Sequence, residues 1–73
     1  MAISYAPLRY LMRIHNVSYR QLRAELDIHS TYTTRMKNDT GYVSLETIDL
    51  LCEYFDVPVN EIIEYYDPYE YEE

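Results

Sequence analysis

The sequence predicts an all-α fold, a compact bundle of five short helices. Apolar residues recur at helical spacing in four separate segments, each preceded or followed by capping and turn residues. No segment alternates apolar and polar residues between turns, so no sheet is expected. With 73 residues, the chain has room for one domain with one modest core. We expect this domain to cover residues 1–66 and residues 67–73 to be an acidic, disordered tail.

The first helix is predicted to begin near Ser4 or Tyr5, with Pro7 in its first turn, where the missing N–H costs little. Asn16 can take the left-handed conformation that ends a helix. The spacing i, i+3, i+4, i+7 predicts a core stripe. Its members are Leu8, Leu11, Met12 and His15.

The second helix is predicted to start at Ser18. Ser18 and Gln21 have the spacing of a capping box, and Val17 and Leu22 have that of a hydrophobic staple. Tyr19 is then expected in the exposed first turn of this helix.

A hydroxyl-rich segment, residues 29–38, follows the short turn Asp27-Ile28 and is predicted to be the third helix. At helical spacing, Thr33 and Met36 fall on the side of Ile28 and face inward. The other side carries Ser30, Thr31, Thr34, Arg35 and Asn38. These polar side chains have lengths suited to contact base edges and phosphates. In a helix-turn-helix, one helix presents such a polar face outward and a second helix packs against it and holds it in place. The alternative is an ordinary solvated helix face.

The fourth and fifth helices are predicted on either side of the break Asp56-Val57-Pro58. Ser44 is a suitable N-cap for the fourth helix, with Glu46 in its first turn. The predicted core stripe of the fourth helix is Leu45, Ile48, Leu51, Cys52 and Phe55. The predicted apolar positions of the fifth are Val59, Ile62, Ile63 and Tyr66.

The net charge of −7 is divided unevenly along the chain. Residues 1–37 hold all six basic residues and two acidic ones, a charge of +4, whereas residues 38–73 hold eleven acidic residues and no basic one. A basic half that includes the third helix is what a phosphate-binding surface requires. The acidic half should then face away from a polyanion, and the alternative is that acidity serves solubility.

Several function classes are not supported by the sequence. Cys52 is the single cysteine and is expected to be a small core residue, which fits a reducing, cytoplasmic location. Neither His15 nor His29 has neighbours at metal-ligand spacing. No glycine-rich phosphate loop or nucleophile–base pair is visible, so we expect neither an enzyme nor a cofactor. No apolar run approaches the roughly 20 residues of a membrane span.

From Leu8 to Tyr65 the chain resembles the Cro/CI-type (lambda-repressor-like, XRE) helix-turn-helix family, particularly its small single-domain members. The matching segments are Leu8-x-x-Leu11-Met12, Val17-Ser18-Tyr19-Arg20-x-Leu22, Ile28-x-Ser30-Thr31-x-x-x-Arg35-Met36-Lys37-Asn38, Ser44-Leu45-Glu46-Thr47-Ile48-Asp49-x-Leu51-Cys52, Phe55-Asp56-Val57-Pro58 and Glu61-Ile62-Ile63-Glu64-Tyr65. The resemblance implies a five-helix domain that binds double-stranded DNA, usually as a homodimer, and regulates transcription in phage or bacteria.

The resemblance also implies which residues contact DNA. Base-reading positions fall on His29, Ser30, Thr31 and Arg35, and the phosphate contact at the start of the second helix falls on Tyr19. Lys37 and Asn38 would touch the backbone after the third helix. Thr34 and Arg20 complete the predicted DNA-binding set, and Arg9 and Arg13 are expected to neutralise phosphates as well.

Four positions depart from the pattern of the family. Arg23 stands where a small residue usually packs the second helix against the third, and Thr33 stands where an apolar residue usually points inward. Asp27 and Asp39 stand where glycine is common in the two turns, and both bring negative charge close to the expected phosphates.

Two hypotheses follow for the function. The first is a sequence-specific DNA-binding transcriptional regulator, most simply a repressor of the Cro/CI type. The second is a protein-binding module on the same fold, such as a phage-encoded inhibitor, an antirepressor or an antitoxin-like partner, which would use its acidic, tyrosine-rich surface.

Overall fold

The computed structural model describes residues 3–65. Within this range the chain forms four α-helices, one 3₁₀ turn and a small antiparallel sheet. In chain order the elements are β1 (Ile3–Ser4), α1 (Ala6–His15), α2 (Tyr19–Leu26), α3 (Ser30–Asn38), α4 (Leu45–Phe55), the 3₁₀ turn (Val59–Glu61) and β2 (Glu64–Tyr65). None of the helices in this range is long and apolar enough to cross a membrane.

The predicted fifth helix is wrong, and so is the prediction that no sheet forms. The chain after Pro58 makes only a three-residue 3₁₀ turn and then extends, so that Ser4 pairs with Glu64 in the two-stranded sheet. The carbonyl of Ile62 accepts a hydrogen bond of 3.1 Å from the backbone N–H of Leu8. That N–H lies in the first turn of α1, where it has no partner within its own helix. The second half of the predicted helix therefore provides a hydrogen-bond acceptor for the first turn of α1 and a strand that pairs with β1.

Each helix ends at a residue in the left-handed conformation. The four residues are Asn16, Asp27, Asp39 and Asp56, with φ of 56°, 55°, 54° and 56°. Asparagine and aspartate tolerate this conformation better than other non-glycine residues. The prediction for Asn16 is confirmed, and the two aspartates that replace glycine in the turns adopt the backbone that glycine would supply.

The predicted N-caps of α2 and α4 are confirmed. The Oγ of Ser18 accepts from the backbone N–H of Gln21 at 3.1 Å, and the Oγ of Ser44 accepts from that of Thr47 at 3.2 Å. The capping box of α2 is only half formed, because the Gln21 side chain donates to the Tyr54 hydroxyl instead of returning to Ser18.

One apolar core joins the helices to the sheet. Its members are Tyr5, Leu8, Leu11, Met12, Leu22, Ile28, Met36, Ile48, Leu51 and Ile62. The inward positions of Thr33 and Met36 are confirmed. Two predicted core positions are wrong: Leu45 is 84% exposed, and His15 is exposed with its ring 5.6 Å from that of Phe55. Both lie at a helix end, since His15 is the last residue of α1 and Leu45 is the first residue of α4.

Candidate nucleic-acid interface

The segment from α2 through α3 forms a helix-turn-helix, and its turn is fixed by three consecutive residues. Asp27 provides the left-handed residue that ends α2, and Ile28 is buried in the core. His29 caps α3, because its Nδ1 accepts a hydrogen bond of 3.0 Å from the backbone N–H of Thr31. The imidazole therefore has a structural partner at the start of α3, in addition to the predicted role in base contact.

The outward face of α3 presents hydroxyl and amide groups to solvent. Ser30, Thr31, Thr34 and Asn38 are all exposed, as the helical spacing predicts. Ser30, Thr31 and Thr34 line a shallow concavity of about 360 Å³ together with Arg35 and Thr40. No acidic side chain lines this surface, which gives a duplex DNA groove both donors and acceptors without local charge repulsion.

Arg35 is held against the loop that follows α3. One guanidinium nitrogen donates to the carbonyl of Tyr42 at 2.8 Å, and the guanidinium carbon lies 5.8 Å from the centre of the Tyr32 ring. The side chain also packs on Gly41, where a Cβ would lie 2.9 Å from the Arg35 Cδ. Arg35 is therefore half-buried and partly engaged, and it links α3 to the loop that leads into α4.

Arg9 was expected to neutralise DNA phosphates, but it is paired within the protein. Its two terminal nitrogens contact the two carboxylate oxygens of Asp39 at 3.0 and 3.1 Å, and one of them also donates to the carbonyl of Met36 at 2.9 Å. The backbone N–H of Tyr5 donates to the same carboxylate at 2.8 Å. The hydrogen bonds from Arg9 hold the pKa of Asp39 below its usual value. The negative charge that Asp39 brings to the turn is thus compensated inside the fold.

Sequence reasoning did not identify the partnership between Arg23 and Thr33. A guanidinium nitrogen of Arg23 donates to the Thr33 hydroxyl at 3.1 Å, and that hydroxyl donates to the carbonyl of Ser30 at 2.9 Å. The two departures from the family pattern therefore satisfy each other across the α2–α3 contact. The sequence signal that could have identified the pair is a hydroxyl residue at an inward position of α3, ten residues after a long cation on α2.

Tyr19 is half-buried, which corrects the expectation of an exposed first-turn residue. Its hydroxyl is inaccessible to solvent and has no hydrogen-bond partner among residues 3–65. Burial raises the pKa of Tyr19, and the charge of Arg9 acts in the opposite direction. The hydroxyl is therefore a protonated donor at neutral pH that the described part of the chain leaves unused.

The remaining predicted contacts are exposed cations around these residues. Lys37, at the end of α3, and Arg13, on α1, line a surface groove of about 510 Å³ together with Arg9 and Tyr19. Arg20 is also exposed, on the first turn of α2, but it lies outside this groove. The groove has no acidic residue among those that line it.

Comparison with known proteins assigns the fold to a family. The chain matches the Cro/C1-type HTH DNA-binding domain family over residues 7–68. No curated protein and no solved structure gives a significant match. The matched region takes in α1 from Pro7 onward, α2 to α4, the turn between α2 and α3, and the polar outward face of α3. The chain therefore belongs to the Cro/C1-type helix-turn-helix family of DNA-binding domains.

Proposed function

We propose that this protein is a sequence-specific transcriptional regulator that acts as a repressor by occupying its DNA operator. The observation that carries the proposal is the outward face of α3, which is exposed, free of acidic side chains and framed by cations on a helix-turn-helix. A helix presented in this way enters the major groove of duplex DNA with its polar side chains against base edges.

In the proposed complex, base contacts come from α3 and its cap. Ser30, Thr31 and Thr34 have short hydroxyl side chains that can reach either a donor or an acceptor on a base. His29 offers the edge of its ring that does not cap the helix, and Arg35 uses the guanidinium nitrogens that Tyr42 does not occupy.

Backbone contacts surround the base-reading face. Tyr19 and Arg20 begin α2, and a helix N-terminus favours a phosphate. Lys37 and Asn38 end α3, and their side chains offer a positive charge and an amide donor to the backbone. These contacts position the domain on the duplex and contribute affinity that depends strongly on salt.

The proposed regulator binds as a homodimer. One nine-residue helix offers a small area for specific binding, and two copies on adjacent half-sites double it. Tyr65, which is 74% exposed at the end of β2, is the candidate for the centre of the interface because large exposed aromatic side chains are enriched there.

The test is a binding selection on random duplex DNA at two salt concentrations, followed by titration of the enriched site. We expect one enriched motif with two-fold symmetry, and light scattering of the complex should give two protein chains per duplex. Arg35→Ala should lower the preference for that motif over a scrambled duplex by about 1–3 kcal/mol. Glu53→Gln, on the exposed side of α4, is the control and should keep the preference. A selection without enrichment would refute the proposal and favour the protein-binding alternative.

A further inference from the structure

The three concavities on the basic side of the domain are contiguous. Thr34 lines both the outward face of α3 and a cleft between α2 and α3. Tyr19 and Lys37 line both that cleft and the groove beside α1. A path without acidic lining residues therefore runs from the base-reading face, through the cleft, to α1.

The cleft between α2 and α3 contains a cation that is held in place. Arg23 and Lys37 line it, together with Tyr19, Thr33 and Thr34. The bond from Arg23 to the Thr33 hydroxyl fixes one nitrogen of the guanidinium at 3.1 Å. Its other terminal nitrogen makes no hydrogen bond to residues 3–65, and the side chain is exposed. A guanidinium fixed at one nitrogen is preorganised to donate from the other.

We propose that Arg23 and Lys37 form a second phosphate-binding site, in the cleft between α2 and α3, for the backbone of the duplex that α3 reads. Lys37 and Arg23 supply two positive charges, and the exposed Thr34 hydroxyl supplies a neutral donor beside them. A phosphate that accepts from a guanidinium and a hydroxyl gains charge-assisted hydrogen bonds. The site rests on the proposed function, because it extends the same interface.

The shape of the path favours a polyanion strand over a single small anion. The concavities follow one another across three helices and share lining residues, so a ligand that fills one continues into the next. Successive phosphates of a nucleic acid strand are evenly spaced anions that suit such a path. Arg9 does not count among the available cations, because Asp39 already occupies it.

The experiment measures the salt dependence of binding to a random-sequence duplex, which tests phosphate contacts without requiring an operator. Each phosphate contact contributes about 0.9 to the slope of log affinity against log salt for duplex DNA. Arg23→Gln should lower the magnitude of that slope by about 0.9. We take the contact to contribute nothing at about 1 M salt. The slope difference of about 0.9 then corresponds to a loss of affinity in Arg23→Gln of about fifteenfold at about 50 mM salt and about fourfold at about 200 mM salt.

Three further variants separate charge from folding. Asn60→Asp changes the net charge by the same amount as Arg23→Gln, but at an exposed residue outside all three concavities, and should keep the wild-type slope. Arg23→Lys and Thr33→Val keep the positive charge at residue 23, so both should keep the wild-type slope. Each of them removes the hydrogen bond from the Arg23 guanidinium to the Thr33 hydroxyl that joins α2 to α3. Circular dichroism establishes that every variant is folded.

The results can refute the Arg23 phosphate site and the proposed regulatory function independently of each other. If Arg23→Gln binds the random duplex with the wild-type slope, the Arg23 site is refuted, whether or not an operator has been selected. A slope equally reduced in Thr33→Val and Arg23→Gln also refutes it, because the effect then comes from the α2–α3 packing. A reduced slope confined to Arg23→Gln supports the site, even if the selection finds no operator and the proposed regulator fails.

Discussion

The pair formed by Arg9 and Asp39 should stabilise the domain, and Asp39→Asn tests this with little change in shape. The carboxylate accepts three hydrogen bonds, two from Arg9 and one from the backbone N–H of Tyr5. Asparagine tolerates the left-handed backbone that residue 39 adopts, so the variant removes the charge and not the turn. It keeps one acceptor oxygen, which can satisfy one of the three donors.

The expected loss of unfolding free energy in Asp39→Asn depends on how many hydrogen bonds to the carboxylate are lost and on how exposed they are to solvent. A buried hydrogen bond to a charged group contributes about 1.5–3 kcal/mol, whereas an exposed ion pair contributes about 0–1 kcal/mol. The two side chains are 33% and 34% exposed, between these limits. We expect Asp39→Asn to lower the free energy of unfolding by about 1–2 kcal/mol. For a domain of this size, the melting temperature should fall by about 5–15 °C.

The ion pair between Arg9 and Asp39 should also make the free energy of unfolding depend on pH. Hydrogen bonds from Arg9 lower the pKa of Asp39 below its usual 3.8, so the folded state releases this proton more readily than the unfolded state. The stabilisation from Asp39 is therefore complete above pH 3.8 and is lost as the pH falls through the lower pKa of the folded protein. The difference in unfolding free energy between wild type and Asp39→Asn should be constant near neutral pH and shrink in acid.

Urea denaturation at several pH values measures both effects. Asp49→Asn, which removes an exposed carboxylate on α4, is the matched control and should change the free energy of unfolding by less than about 0.5 kcal/mol. A double-mutant cycle with Arg9→Met isolates the pairwise contribution. The reasoning is refuted if Asp39→Asn is as stable as Asp49→Asn at neutral pH, or if the cycle gives no coupling.

Three further outcomes are expected. Leu51→Ala should destabilise the fold by about 2–5 kcal/mol in urea, because Leu51 is fully buried in the core, and a loss below 1 kcal/mol would contradict this. Cys52 should react slowly with iodoacetamide at neutral pH until the protein is unfolded, because burial and the charge of Asp49 raise the pKa of its thiol; equal rates in both states would contradict this. Deleting residues 67–73, which carry four acids and lie outside the described residues, should raise affinity for random duplex DNA at low salt, with a gain that shrinks as salt is added. Unchanged affinity would show that these residues do not compete with phosphates.

Local patterns were sufficient for the elements that depend on nearby residues. The N-caps at Ser18 and Ser44, the left-handed end of α1 at Asn16 and the inward positions of Thr33 and Met36 were predictable, because capping and helical spacing act over a few residues. The polar face of α3 was predictable for the same reason. These features, together with the family resemblance, determined the helix-turn-helix and the DNA-binding assignment that the family match supports.

Contacts between distant segments decided the rest. The strand at Glu64 forms because Ile3 and Ser4 lie beside it, and two residues are too few to show an alternating pattern. The pairings of Arg9 with Asp39 and of Arg23 with Thr33 join residues 30 and 10 positions apart. The net charge of a sequence segment includes every basic residue, whether or not that residue is paired in the folded protein. Only the tertiary structure determines which basic residues already have an internal partner. The sequence alone therefore determined that the domain is mainly helical and which side of α3 faces outward. The tertiary structure decided that a strand pair replaces the fifth helix and which basic residues already have an internal partner.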